Sequence, residues 1–154
     1  YQILRFNHCN LSRFELYEKE SLAQINELLR VINPKTSVFD HETGELFFDF
    51  RGFLVLARDP SIGRLIGMAT LVLCHKINSV SARLEHVAVI PEMQGRGIAR
   101  ALINTLIEEA RLMRITHIDL TCEPRRVRAN KLYDQLGFKK RVTNARRLKL
   151  LPKL

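Results

Sequence analysis

The sequence lacks the marks of several protein classes. Its 154 residues contain no apolar run of the roughly 18 that a membrane-spanning helix needs, so no membrane partner is expected. There are 3 cysteines, Cys9, Cys74 and Cys122, an odd count that argues against a closed disulfide framework. They show no paired metal-ligand spacing, and a reducing, cytoplasmic setting is the expectation. His8, His41, His75 and His117 do not cluster in sequence with carboxylates or cysteines, so no metal site is expected. No secretory leader is read, and since the numbering opens on Tyr1 the native start is expected upstream of it. Internal repeats, linkers and low-complexity tracts are missing too, and the length suits one domain. Acidic residues are in deficit, 16 against 25 basic ones, for a formal charge of +9. A basic surface suits nucleic acid, membrane or a small anion, and it also serves solubility. An RNA-binding aromatic signature, a helix-turn-helix pattern and zinc ligands are all wanting, so nucleic acid is not the expected partner.

What is present centres on Gln94-Gly95-Arg96-Gly97-Ile98-Ala99. A strand is read ahead of it over residues 83–90, where Leu84, Val87, Ala88, Val89 and Ile90 are apolar. A helix is read behind it, because Leu102, Ile103, Leu106, Ile107, Ala110 and Met113 recur at i, i+3, i+4 and i+7. Strand, glycine-bearing loop and amphipathic helix together aim unpaired N–H groups and the positive helix end at one point. An anion, most often a phosphate, suits that point. Gly95, Gly97 and Ala99 leave room for a pyrophosphate, and Arg96 and Arg100 add positive charge. An ordinary strand-to-helix connection fits the same residues, so the loop alone does not decide.

Elsewhere the pattern predicts a first strand over residues 1–6 and a short helix over 11–17. A clearer helix starts near Ser21, where Ser21 and Gln24 resemble a capping box and Leu22, Ile25, Leu28, Leu29 and Ile32 share a face. Asn33-Pro34 ends it. Residues 35–52 carry apolar and acidic side chains without a steady period, as a short helix, a hairpin or a mobile lid would. Strands over 53–57, 64–76 and 83–90, joined by short turns, predict an antiparallel meander. Residues 117–122 predict a strand parallel to the last of these. A helix over 126–136 stops at Gly137, and residues 138–142 and 146–150 predict a final hairpin. A mixed sheet with helices on both faces follows, with the ligand at the carboxyl end of the strand before the loop.

Gln94, Gly97 and Ala99 fill a Gln/Arg-x-x-Gly-x-Gly/Ala pattern. Ahead of it stands Val87-Ala88-Val89-Ile90-Pro91. Downstream come Ala129-Asn130-Lys131-Leu132-Tyr133 and Leu136-Gly137-Phe138. In this order and spacing the chain resembles the GNAT superfamily of acyl-CoA N-acyltransferases, over roughly residues 64–147. The resemblance implies an α/β GNAT fold: a mixed central sheet of about six to seven strands with helices on both faces, one N-acetyltransferase domain over 1–154. It implies acetyl-CoA as cosubstrate and a primary amine as acceptor, in a monomer or homodimer. The first fifty or so residues, where the family keeps acceptor specificity, match only in general layout.

On this resemblance Gln94, Gly95, Arg96, Gly97, Ile98, Ala99 and Arg100 hold the pyrophosphate. The pantetheine arm runs beside Val87 and Val89, where the family splays its sheet, and an N–H near Val87 polarises the thioester carbonyl. Tyr133 is the family's usual proton donor to the departing thiolate, and Asn130, one helical step earlier, shares its face. The base is open between Glu85, His86 and a water chain. Glu85 has the strand parity of Val87 and Val89, whereas His86 points to the other side unless a bulge intervenes. An ion pair with Arg83 is the bland role for Glu85. Cys122 and Cys74 read as small hydrophobes. The basic run Lys139, Lys140, Arg141, Arg146, Arg147 and Lys149 reads as a solvated face, or as a lure for the adenosine 3′-phosphate or RNA. The acids Asp40, Glu42, Glu45 and Asp49 hint at a cationic acceptor. Two other functions compete with catalysis: a basic nucleic-acid-binding module, and a CoA sensor without turnover.

Overall fold

Three apolar runs build the sheet. In the computed structural model β2 (Gly52–Arg58), β3 (Leu65–His75) and β4 (Val80–Val89) form an antiparallel meander, as their short turns demand. β1 (Gln2–Asn7) adds antiparallel to β2, and β5 (Ile118–Asp119) adds parallel to β4 after a helical crossover, in the order β1-β2-β3-β4-β5. The structure describes residues 1–7, 19–34 and 51–148. The helix expected over 11–17, the segment 35–50 with its four acids, and His8, Cys9, His41, Lys149 and Leu150 lie outside them. The chain divides into two compact units, Tyr1–Thr121 and Cys122–Leu154. The sheet, α1 (Lys19–Ile32) and α2 (Ile98–Leu112) belong to the first, and α3 (Val127–Gln135) to the second.

Register assigns the faces, since residues paired across strands point the same way. Ala57, Gly67 and Val89 form one row, with Val55 and Ala69 beside it. This is the face that α2 covers. A Cβ on Gly67 would lie 3.1 Å from Ile98 Cγ2 and 3.2 Å from Leu102 Cδ1, so helix and sheet meet closely there. Arg5, on the same face through its pairing with Val55, reaches Glu109 of α2 at 3.3 Å. Leu102, Ile103, Leu106 and Ala110 bury most of the helical stripe that the spacing predicted, and Ile107 is half-buried; Met113, expected in the same stripe, instead caps the helix end and is exposed. The opposite face carries Phe6, Leu54, Leu56, Ile66, Met68 and Ala88, all buried. There α1 packs across β3 and β4 through Ile25, Leu28 and Leu29. The expected helices on both faces are therefore present.

Three expectations need correction. Gln24 does not close a capping box with Ser21. The helix already starts at Lys19, and the Gln24 side-chain oxygen accepts the Leu65 N–H at 2.7 Å, tying α1 to the start of β3. The strand predicted over 117–122 shrinks to Ile118–Asp119. The hairpin predicted over 138–150 is not formed by the described residues: 138–148 hold neither strand nor helix, which lowers the strand count to five. Lys139, Lys140, Arg141, Arg146 and Arg147 are exposed there, and Val142 and Leu148 are exposed with them. A two-stranded ribbon with like charges and no buried face is not stable on its own.

Both later helices end in the same hydrogen-bond pattern. At α3, Gly137 N–H donates to Asp134 and Phe138 N–H to Tyr133, with Gly137 at φ +91°. At α2, Arg114 N–H donates to Arg111 and Ile115 N–H to Ala110, but the left-handed residue is Arg114, at φ +55°. Both are Schellman endings, one with glycine in the strained position and one without it. Arg114→Gly should therefore raise stability, and Gly137→Ala lower it, each by about 1 kcal/mol. Denaturant midpoints at constant m-value would check the pair, and a destabilised Arg114→Gly would refute the reading.

Candidate functional site

The site begins where β4 departs from regular pairing. Thr70 faces Glu85, but Met68 faces Ala88, so β4 spends one residue more than β3 across this stretch. That is a β-bulge at His86 and Val87, and His86 sits at φ +51°. A left-handed conformation costs a non-glycine residue about 1–2 kcal/mol, and such outliers gather at functional sites. The buried Thr70 hydroxyl holds the bulge. It donates to the Glu85 carbonyl at 3.1 Å and lies 3.0 Å from His86 Nδ1. His86 keeps exposed surface, yet desolvation still lowers its pKa below the ordinary imidazole value, against a smaller raising influence from Glu85.

The bulge overturns the parity argument for Glu85. Glu85 shares a face with Thr70 and Met68, whereas Val89 shares the opposite face with Gly67. The Glu85 carboxylate is paired with Arg83 at 3.0 Å, and Arg83 extends to the Thr121 hydroxyl at 3.4 Å. β5 accompanies β4 only at Ala82 and Arg83. From Leu84 to Val89 no described strand of this unit flanks β4 on that side, so the edge beside Val87 and Val89 can take an extended ligand arm.

The loop follows directly. Pro91–Met93 makes one 3-10 turn, and the Gln94 side-chain amide donates back to the Val89 carbonyl at 3.0 Å. Gln94 thus fastens the loop to the end of β4. Gly95 and Gly97 take φ +78° and +79°, and Gly97 is the N-cap of α2. A glycine cap brings no side-chain oxygen, and among the described residues none caps this helix. The first-turn N–H groups, beginning at Ile98 and Ala99, therefore face outward with the positive end of the dipole. Arg96 is exposed on the loop and Arg100 half-buried on the first turn. An anion fits this cradle by shape and by charge.

The second unit holds Asn130 and Tyr133 on α3. The Asn130 amide donates to the carbonyls of Glu123 at 2.9 Å and Arg126 at 3.0 Å, so it stitches the entry segment to the helix. Tyr133 is half-buried, and its ring meets Phe138 edge-on with centroids 5.9 Å apart. That contact is the hydrophobic closure of the Schellman ending, which anchors the Tyr133 ring from beyond the helix. Desolvation pushes the Cys122 thiol above its ordinary pKa, which disfavours a thiolate nucleophile there.

The structure thus gathers Glu85, His86, Val87, Val89 and residues 94–100 along one strand end and one helix start, and places Asn130 and Tyr133 together on α3. Thr70 was missed from the sequence. Its only signal there was a hydroxyl inside the apolar run from Leu65 to Leu73. The bulge had no signal, because a histidine rather than a glycine occupies its left-handed position.

The model of the acetyltransferase (GNAT) family matches residues 22–138, a span that runs through both units. Among solved structures, the chain is similar to an acetyltransferase of Trypanosoma brucei at TM-score 0.74 and 19% identity, covering 97% of this chain and 99% of that one. It is similar to a glucosamine-6-phosphate N-acetyltransferase of Arabidopsis thaliana at 0.74 and 15%, covering 96% and 99%. It is also similar to a ribosomal-protein-alanine N-acetyltransferase of Brucella melitensis biovar Abortus 2308 at 0.71 and 18%, covering 97% and 100%. At such identities the structural likeness speaks to the fold. The family model, matched over most of the chain, goes further: this protein belongs to the GNAT family of acetyltransferases.

Proposed function

We propose that the protein moves an acetyl group from acetyl-CoA to a primary amine by direct attack, without an acyl-enzyme. The observation that carries this is the N-cap glycine of α2, with no side-chain cap, at the end of a bulged β4. Residues 95–100 bind the pyrophosphate through main-chain N–H groups, with Arg96 and Arg100 beside it. Gln94 keeps the loop in place through Val89. The pantetheine amides pair along Val87 and Val89, and an N–H at the bulge donates a hydrogen bond to the thioester oxygen as negative charge develops on it. Losing such a donor costs about 3 kcal/mol of barrier.

The amine nitrogen attacks the carbonyl carbon, the C–N bond forms and the C–S bond breaks. Tyr133, matched to the family motif with Asn130, gives its phenolic proton to the leaving thiolate. A second proton from the nitrogen restores the phenol. A phenol near pKa 10 is protonated at neutral pH, so it is ready as the acid. Before attack the acceptor ammonium must lose a proton, and β4 offers Glu85 and His86 for that task. The names of the similar structures mention acceptors as different as glucosamine 6-phosphate and ribosomal-protein alanine, so the acceptor must be found by experiment.

Thiol release from acetyl-CoA is expected with at least one member of a panel of amino sugars, polyamines, amino acids and peptides. Silence across the panel with CoA still bound would favour a sensor without turnover. Tyr133→Phe should lower kcat about 100-fold while CoA affinity, read by calorimetry, stays unchanged. An unchanged kcat would remove Tyr133 from the acid role.

A further inference from the structure

A hydroxyl has one proton, and that count decides the state of the ring beside it. The Thr70 hydroxyl donates its proton to the Glu85 carbonyl at 3.1 Å. Towards His86 Nδ1, 3.0 Å away, it can only accept. A neutral His86 therefore carries its hydrogen on Nδ1 and presents the lone pair of Nε2. The threonine is buried, so its hydroxyl is satisfied by these two contacts rather than by bulk water. The bulge adds a second, independent pointer, because it holds His86 in a left-handed conformation beside the open edge of β4.

We propose that His86 Nε2 is the general base that takes the proton from the acceptor ammonium, and that Thr70 is the positioning residue that fixes its tautomer. The inference rests on the acetyl-transfer reading above. The ammonium N–H bond breaks, its electron pair stays on the amine nitrogen, and the proton forms a bond to Nε2, giving an imidazolium that returns it to solvent. Of the two candidates at the bulge, Glu85 is engaged by Arg83 at 3.0 Å. An ordinary imidazole near 6.5 also matches neutral pH better than an ordinary carboxylate near 4.3. The charges around the ring agree with this. Among the described residues Glu85 is the charge that acts on it, and desolvation outweighs that influence, which favours the neutral ring. From β3 the facing group is the uncharged Thr70, and from α1, packed on β3 and β4, Glu27 is held by Arg64 at 2.6 Å.

Long-range ¹H–¹⁵N NMR of the full chain reads the tautomer without any acceptor. At neutral pH the His86 ring should show a protonated Nδ1 and a bare Nε2, and Thr70→Val should abolish that preference. Thr70→Ser, which keeps the hydroxyl, should restore it. With whichever panel amine releases thiol, His86→Gln should lower kcat about 100-fold and erase the acidic limb of the kcat–pH profile. Wild type should show that limb below the ordinary imidazole pKa. Thr70→Val should lower kcat about 10-fold with KM for acetyl-CoA unchanged, and Thr70→Ser should recover it. A ring protonated on Nε2 in the wild type would overturn the proposal. So would a His86→Gln enzyme that keeps both kcat and the limb. Should no panel amine react, the acetyl-transfer reading falls, while the NMR result still decides the tautomer.

Discussion

The seating of α2 on the small residues of the sheet is the constraint from which the site follows. Ala57, Gly67 and Ala69 leave a shallow face, and Ile98 and Leu102 descend onto it. Gly67 pairs with Val89 near the end of β4, and Ile98 is the first residue of α2. The first turn of the helix is thereby set beside the carboxyl end of the strand. The connecting loop need only supply left-handed residues to turn the chain, and Gly95 and Gly97 supply them. A position that must be empty for packing thus dictates where the outward-facing amides stand.

β4 has two tasks that pull against each other. Its flanks pair with β3 to hold the core, while on the proposed reading its middle spares main-chain groups for a ligand. The extra residue at His86 resolves the conflict locally. Pairing resumes on either side, at Thr70 with Glu85 and at Met68 with Ala88, and the distortion stays between them. The Thr70 hydroxyl stabilises the distortion by bonding to Glu85 just before it and to His86 within it. The early end of β5 removes a competitor for the same edge.

The core of the fold was legible in the sequence, because both faces of β2 and β3 are buried and so their strands read as unbroken apolar runs. The glycines at 97 and 137 were legible because their backbone conformations exclude most other residues. Where one residue alters a register, reading failed. A period of two carried through His86 put Glu85 on the face of Val89, and the bulge moved it to the other. The last hairpin failed for a different reason. Val142 and Leu148 have strand propensity, but propensity without a surface to bury loses to the repulsion among neighbouring lysines and arginines. Thr70 was invisible because a threonine suits any strand, and its hydroxyl acquires meaning only from what the bulge brings to it.

The central claim, that the amides opening α2 receive the pyrophosphate, can be tested most directly by titrating ¹⁵N-labelled protein with CoA and, separately, with pantetheine. The account predicts that the backbone resonances of residues 95–100 shift with CoA and stay in place with pantetheine, which lacks the phosphates. Saturation with CoA that leaves those resonances unmoved would contradict it.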